Sequence, residues 1–334
     1  MNIIIPMAGM GKRMRPHTLT VPKPLIPIAG KPIVQRLVED IAKVCNEKID
    51  EIAFIVGDFG VEIEAKLLYI AEKVGAKGSI YYQEEALGTA HAILCAEEAL
   101  NGKVVVAFAD TLFSADFKLD TSHEGIIWVH RVENPSQFGV VKLNDEGQIT
   151  EFIEKPKEFI TDLAIIGIYY FKDGAYLRKE LQYLIDNDIK EKGEYQLTNA
   201  LENMKQKGTR FITGQVNEWL DCGNKDATIF TNQRILEIVK ETENLVSQKI
   251  KNSNSVIIEP CYIGADVQLI NSVIGPHVSI GAGSIVEKSI ITNTIIQNQT
   301  TIINSVISNS MIGSNAIYKQ KGSELSLGDY STIE

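Results

Sequence analysis

The stretch Asn2-Ile3-Ile4-Ile5-Pro6-Met7-Ala8-Gly9-Met10-Gly11-Lys12-Arg13-Met14-Arg15-Pro16 decides how the first two-thirds of the chain is read. Residues 3–6 form a short apolar run, the composition of a strand buried on both faces. A glycine-rich, basic loop follows at once. The first acidic residue is Glu39, and before it stand Lys12, Arg13, Arg15, Lys23, Lys31 and Arg36. The cations at 12–23 interleave with Gly9, Gly11, Pro16, Pro22 and Pro24, which implies a loop with close backbone approach and not a charged helix face. Such a loop directly after a buried strand suits a phosphate-rich ligand. Lys31 and Arg36 fit a solvated positive face equally well. Two common phosphate signatures are excluded. The third glycine of a G-x-G-x-x-G fingerprint would be Met14, with no acidic residue about 20 positions on to hold a ribose. No G-K-[ST] occurs in the loop, so it is not a Walker A motif.

Working outward, strand and helix patterns alternate. Apolar spacing predicts a helix over 33–44 (Val34, Leu37, Val38, Ile41), a strand at 51–56, a helix at about 61–74, a strand at 79–83, a helix at 90–100 and a buried strand at 104–109 that ends in Asp110. Repeated β-α-β units with continuous apolar strands imply a mostly parallel sheet covered on both faces. Ligands bind such sheets at the carboxyl ends of strands, where both the 9–15 loop and Asp110 fall. After residue 124 the pattern loosens into strands at 126–130, 140–143, 149–153 and 164–171, then helices near 175–186, 197–207 and 227–242.

Composition bounds the function. The chain has 334 residues, 44% hydrophobic and 23% charged, with 33 basic against 43 acidic residues for a net charge of −10. That length suits about two domains, and the acidity argues against a broad nucleic-acid or anionic-membrane face. No apolar run reaches the roughly 20 residues of a membrane span. The opening residues carry no basic n-region and are not read as a signal peptide. Cys45, Cys95, Cys222 and Cys261 are scattered with no C-x-x-C pair, which fits buried thiols in a reducing cytoplasm.

From about Ser255 isoleucine and valine become dense and charge nearly vanishes. Apolar residues recur at Ile257, Ile263, Leu269, Ile274, Ile280, Ile285, Ile291, Ile296, Ile302, Ile307 and Ile312, always five or six apart. A hexapeptide-like period stacks as a β-helix, each short strand turning its aliphatic inward while Gly or Asn takes the corners. The boundary is expected between Leu245 and Ser255, giving domains 1–245 and 253–322. Such a stack needs its ends and faces covered, which favours a homo-oligomer.

The longer pattern is specific. Residues 7–16, then Val21-Pro22-Lys23-Pro24-Leu25-Ile26-Pro27 and Gly30-Lys31-Pro32-Ile33, resemble the signature of sugar nucleotidyltransferases, which join a nucleoside triphosphate to a sugar 1-phosphate. In order follow Gln83 with Leu87-Gly88-Thr89-Ala90, Phe108-Ala109-Asp110, Phe138-Gly139-Val140-Val141, Glu154-Lys155-Pro156, Gly193-Glu194-Tyr195-Gln196-Leu197-Thr198 and Trp219-Leu220-Asp221-Cys222-Gly223. The resemblance covers residues 1–240. It implies a Rossmann-like mixed-sheet α/β nucleotidyltransferase domain followed by a left-handed parallel β-helix. Lys12 departs from the pattern, standing where the family usually has a small hydroxyl residue.

The resemblance assigns roles that chemistry explains. A phosphate monoester is mostly dianionic at neutral pH, its second pKa being about 6, so the nucleophile needs no general base. Repulsion between two anions and charge on the departing pyrophosphate are the obstacles, and cations with metal neutralise them. By resemblance Ala8, Gly9 and Gly11 cradle the triphosphate, Arg13 and Lys23 hold phosphates and pyrophosphate, and Lys155 binds the sugar phosphate. Asp110 and Asp221 match a pair holding Mg²⁺, which commonly takes one or two carboxylates. Gln83 and Gly88 meet the nucleobase; Gly139, Glu154 and Glu194 meet sugar hydroxyls. A strand-edge salt bridge is the rival reading of Glu154-Lys155. His17, His91, His123, His130 and His277 show no zinc spacing, and His277 reads as an acyl-transfer base or as a surface corner. The expected reaction is thymidylyl transfer from dTTP to glucose 1-phosphate in the cytoplasm. Uridylyl transfer, guanylyl transfer to mannose 1-phosphate, an added acetyltransferase and an inactive assembly subunit are the alternatives.

Overall fold

In the computed structural model all residues are described except Met10, 322–325, 327–330 and 332–334. Met10 and the last residue of the 253–322 tail therefore lie outside the described residues. The chain divides into two compact units, residues 1–26 with 31–224, and residues 27–30 with 225–334.

The elements run β1 (Asn2–Pro6), β2 (Pro27–Ile28), β3 (Lys31–Pro32), α1 (Ile33–Val44), β4 (Glu51–Val56), α2 (Val61–Lys73), β5 (Lys77–Tyr82), α3 (Thr89–Leu94), β6 (Val104–Ala107) and β7 (Thr111–Ser114). Then come β8 (Gly125–Arg131), β9 (Gly139–Leu143), β10 (Ile149–Glu154), β11 (Leu163–Phe171), α4 (Gly174–Asp186), α5 (Leu197–Gln206), β12 (Phe211–Gln215), β13 (Glu218–Asp221) and α6 (Lys225–Val239).

In the first unit β6, β1, β4 and β5 lie side by side and parallel. Ile3, Ile4, Ile5, Phe54 and Val106 are fully buried, as continuous apolar strands covered on both faces require. The sheet is mixed beyond β6. β11 runs antiparallel to β6, β8 and β9, and β10 is antiparallel to β9. β11 shifts register between Ile165 and Tyr169, where Gly167 takes a positive φ of 86°. The helix read over 90–100 stops at Leu94 and resumes only as a short turn at Glu97–Ala99. The strand read to 109 stops at Ala107, so Asp110 sits in the turn into β7. Sequence reasoning missed β7, β12 and β13, which are only four or five residues long.

The second unit is a stack of parallel coils. One face carries β14 (Lys251–Ser253), and a second starts with β15 (Val256–Ile257) and a third with β16 (Tyr262–Ile263). The pattern repeats with β17 (Gln268–Ile270), β18 (Val273–Ile274), β19 (Ser279–Ile280), β20 (Ile285–Glu287), β21 (Ile290–Ile296), β22 (Thr301–Ile303), β23 (Val306–Ile312) and β24 (Ile317–Lys319). Gln268 pairs with Ile285 and Ile285 with Thr301, so each coil consumes 16 or 17 residues, three hexapeptide-like steps. Ile263, Leu269, Ile274, Ile280, Ile291, Ile296 and Ile302 are buried inside. One position is corrected. Val286, not Ile285, is the inward residue of its rung, because Val286 pairs with buried Leu269 and Ile302 while Ile285 shares the outer column of Gln268 and Thr301.

Polar residues close the corners. Asn254, Asn271, Lys288 and Asn304 form one column of left-handed corners, with φ between 47° and 54°. Beneath it runs a serine ladder: the backbone N–H of Ser272, Ser289 and Ser305 each donates to the hydroxyl of Ser255, Ser272 and Ser289 in the coil before, at 3.0–3.1 Å. That ladder explains buried serines inside an apolar stack. His277 is a corner at φ 63°, and its Nε2 lies 2.7 Å from Glu237 Oε1 on α6. α6 packs on the coils, and the fully buried Asn232 accepts from Ser279 Oγ at 2.7 Å and from the Ala29 backbone N–H at 2.9 Å. Those bonds tie the four-residue segment Pro27–Gly30 into the second unit. Among the described residues no helix is long and apolar enough to cross a membrane.

Candidate active site

A cavity of about 520 Å³ opens within the first unit at the carboxyl ends of β1, β5 and β6, where parallel sheets bind ligands. Each strand delivers its part through backbone pairing. The Met7 N–H donates to Ile55 O at 2.8 Å and carries the chain from β1 into Ala8 and Gly9. The Gln83 N–H donates to Val56 O at 2.9 Å, extending β5 by one residue. Phe108 donates to Gly167 O at 2.9 Å before the chain turns at Asp110.

Ala8, Gly9, Gly11, Arg13, Lys23, Gln83, Gly88, Asp110 and Glu194 all line this cavity, so nine residues from five distant segments converge. Lys12 lines it as well, which returns that departure from the family pattern to the site as a cation. The loop is shaped by its own residues. Gly11 stands in the left-handed region (φ 57°, ψ 35°), Thr18 Oγ1 donates to Gly11 O at 2.8 Å, and Met14 is buried beneath.

Charge is concentrated at one end. Lys23 is buried, and its Nζ lies 2.8 Å from Asp110 Oδ2. Asp221 ends β13, whose antiparallel pairing with β7 sets Asp221 against Thr111, next to Asp110. The Cys222 N–H donates to Asp110 O at 2.9 Å and locks that approach. Burial pushes the Asp221 carboxyl above its ordinary range, and the neighbouring Asp110 charge pushes it further. The Gly223 N–H, 3.0 Å from Asp221 Oδ1, together with Lys23 and Arg13, pulls the other way. Two like charges held together, one of them desolvated, form a place where a divalent cation would relieve repulsion. Among the described residues no cluster of three or more His, Cys, Asp or Glu side chains could hold a metal by itself. Phosphate oxygens and water would therefore have to complete any coordination at the pair.

The remaining expected residues gather separately. Gly139 pairs with Glu154 across β9 and β10. Glu154 Oε2 accepts from Thr198 Oγ1 at 3.3 Å, and Lys155 Nζ lies 3.2 Å from Glu154 Oε1. The Lys155 backbone holds φ at 45°, and its side chain is half exposed. Gly139, Glu154 and Lys155 do not line the cavity, and the Glu154-Lys155 salt bridge of the rival reading is present.

Sequence reasoning passed over two residues beside Gln83. Thr89 Oγ1 accepts from the Leu197 N–H at 2.9 Å and donates to Gln196 Oε1 at 3.2 Å, joining the start of α3 to the segment that carries Glu194. His91 Nδ1 lies 3.1 Å from Gln83 Nε2. Its only sequence signal was its place in the first turn after Gly88, and a search for zinc spacing does not weigh that.

Backbone glycine, a buried lysine, two exposed cations and an aspartate pair at the carboxyl edge of a parallel sheet are the groups an α/β protein needs to handle nucleotide phosphates. The model of the nucleotidyl transferase family matches residues 2–238, and the chain belongs to that family. The bifunctional protein GlmU of Methanococcus maripaludis is 31% identical over 262 residues, a match covering 78% of this chain and 60% of that one. The chain thus spans about three-fifths of the length of these GlmU relatives. The glucose-1-phosphate thymidylyltransferase of Streptomyces antibioticus is 28% identical over 368 aligned positions, covering all of this chain and 99% of that one. Among solved structures, a UDP-glucose pyrophosphorylase complexed with UDP-glucose superposes with a TM-score of 0.57 at 23% identity, over 71% of this chain and 98% of that one; it shares the fold.

Proposed function

We propose that the protein catalyses nucleotidyl transfer from a nucleoside triphosphate to a sugar 1-phosphate, with dTTP and glucose 1-phosphate as substrates. The observation that carries the reading is the convergence of Gly9, Gly11, Arg13 and Lys23 on Asp110 in one cavity. The end-to-end match with a thymidylyltransferase supports the choice of nucleotide.

In this mechanism a sugar phosphate oxygen attacks the α-phosphorus in line, the bond to the bridging oxygen breaks, and pyrophosphate leaves. The Gly9 and Gly11 backbone receives the phosphates, and Arg13 and Lys23 balance the charge that develops on the leaving group. Asp110 and Asp221 would hold Mg²⁺, which when bound neutralises phosphate charge. Glu194 borders the same cavity as a sugar-hydroxyl partner. Glu154 and Gly139 stand with Lys155, whose release from Glu154 lets its ammonium meet the sugar phosphate. Gln83 reads the base. Its carboxamide oxygen can accept from the N3–H that thymine and uracil share, so uridylyl transfer is the second reading.

Pyrophosphate release across four nucleoside triphosphates and several sugar 1-phosphates tests the proposal. dTTP and UTP are expected to lead, separated by about 1–3 kcal/mol at most because a single methyl distinguishes them. Equal use of GTP and dTTP with any sugar phosphate would overturn the base assignment. Release with none of the sugar phosphates would overturn the reaction.

A further inference from the structure

We propose that His91 is a positioning residue for base recognition, holding the Gln83 carboxamide with its oxygen turned to the nucleobase. The inference rests on the reading above that Gln83 meets the base. Gln83 Nε2 makes two contacts, donating to Gly88 O at 3.3 Å and meeting His91 Nδ1 at 3.1 Å. A backbone carbonyl only accepts, so the amide nitrogen must face Gly88. His91 Nδ1 must then be the acceptor in its own contact, which requires the neutral ring with its proton on Nε2. Burial pushes the His91 pKa down, against an opposing pull from Glu85, and keeps that neutral form at pH 7.

Both amide protons are therefore engaged on the protein side, while Oε1 makes no hydrogen bond within the described residues. Gln83 lines the cavity and His91 does not, so His91 acts from behind. A fixed acceptor selects the N3–H donor of thymine or uracil. Cytosine presents an acceptor at N3 and is rejected acceptor against acceptor. Without His91 only the longer bond to Gly88 restrains the amide. It can then turn over and offer its NH₂ group.

The test is the ratio of Kd for CTP to Kd for dTTP, measured by calorimetry with Mg²⁺ on the full chain, beside kcat and KM for dTTP. In His91→Leu and His91→Ala the ratio should fall at least tenfold, with KM for dTTP rising and kcat within threefold of wild type. His91→Asn places Oδ1 where Nδ1 stood and should keep the ratio within threefold. Gln83→Leu serves as the reference and should also collapse the ratio. An unchanged ratio in His91→Leu and His91→Ala, while Gln83→Leu collapses it, overturns the role of His91 and leaves the base reading standing. An unchanged ratio in Gln83→Leu overturns both.

Discussion

Two cavity glycines answer to different masters, and substituting each by alanine separates them. At Gly88 a Cβ would lie 2.4 Å from Tyr195 O and 2.7 Å from Tyr195 N, with φ at 117°. Both clashing atoms are backbone, so no side chain can swing aside. The same Tyr195 groups bind the loop: the Tyr195 N–H donates to Leu87 O at 2.8 Å, and the Ala90 N–H donates to Tyr195 O at 2.9 Å. A methyl there must push the two segments apart and lose both bonds, at about 1 kcal/mol each. Forcing alanine into a nearly glycine-only conformation adds about 1–3 kcal/mol. The total is about 3–5 kcal/mol, which corresponds to a fall of about 10 °C in Tm for a domain of this size. At Gly9 a Cβ would meet nothing within 4 Å, although the residue lines the cavity. Gly9→Ala should therefore leave Tm within about 2 °C and raise KM for dTTP about tenfold, the equivalent of about 1.4 kcal/mol. Scanning calorimetry and steady-state pyrophosphate release read both quantities. Unchanged stability in Gly88→Ala would refute the backbone-clash reasoning. An unchanged KM in Gly9→Ala would refute the approach of triphosphate at that residue.

Asp110→Asn and Asp221→Asn should each lower kcat by about 10²–10³-fold, the range for losing a preorganised charge-stabilising group; activity within threefold of wild type at saturating Mg²⁺ would sink the pair. Asp221 also gives a pH signature. Its folded pKa is raised, so between the unfolded and folded values the folded state binds more protons, and stability falls as pH rises through that window. Asp221→Asn should thus be at least as stable as wild type at pH 7 without metal, and Mg²⁺ should no longer raise its Tm. Asn232→Leu leaves the Ala29 N–H and the Ser279 hydroxyl without their acceptor, and calorimetry should show a loss of about 2–5 kcal/mol. Val256, Val273, Ile290 and Val306 pair in register as an outer aliphatic column in which Val306 is 76% exposed, and a second copy of the chain would cover it. Ile290→Glu with Val306→Glu should lower the mass seen by light scattering, and an unchanged mass removes this column from self-association.

What the sequence determined by itself is what local pattern encodes. Residues 3–6 and 52–56 are apolar throughout because parallel strands are buried on both faces, so strand and helix type could be read without knowing any partner. The tail declared itself through a five-or-six-residue period, since every coil repeats the same inward position and the same corner chemistry. The ordered motifs from Gly9 to Gly223 carried the family. Tertiary structure decided the rest, through contacts between residues far apart in the chain. β7 and β13 are too short to show a period and exist because they pair with each other across more than 100 residues, which is what brings Asp221 beside Asp110. Ile285 and Val286 are both aliphatic neighbours, and only the register with Leu269 and Ile302 decides which one turns inward. Gly88 is glycine because the Tyr195 backbone lies against it, and His91 bears on the site through one bond to Gln83. Such facts depend on which atoms meet in space, and no spacing along the chain records them.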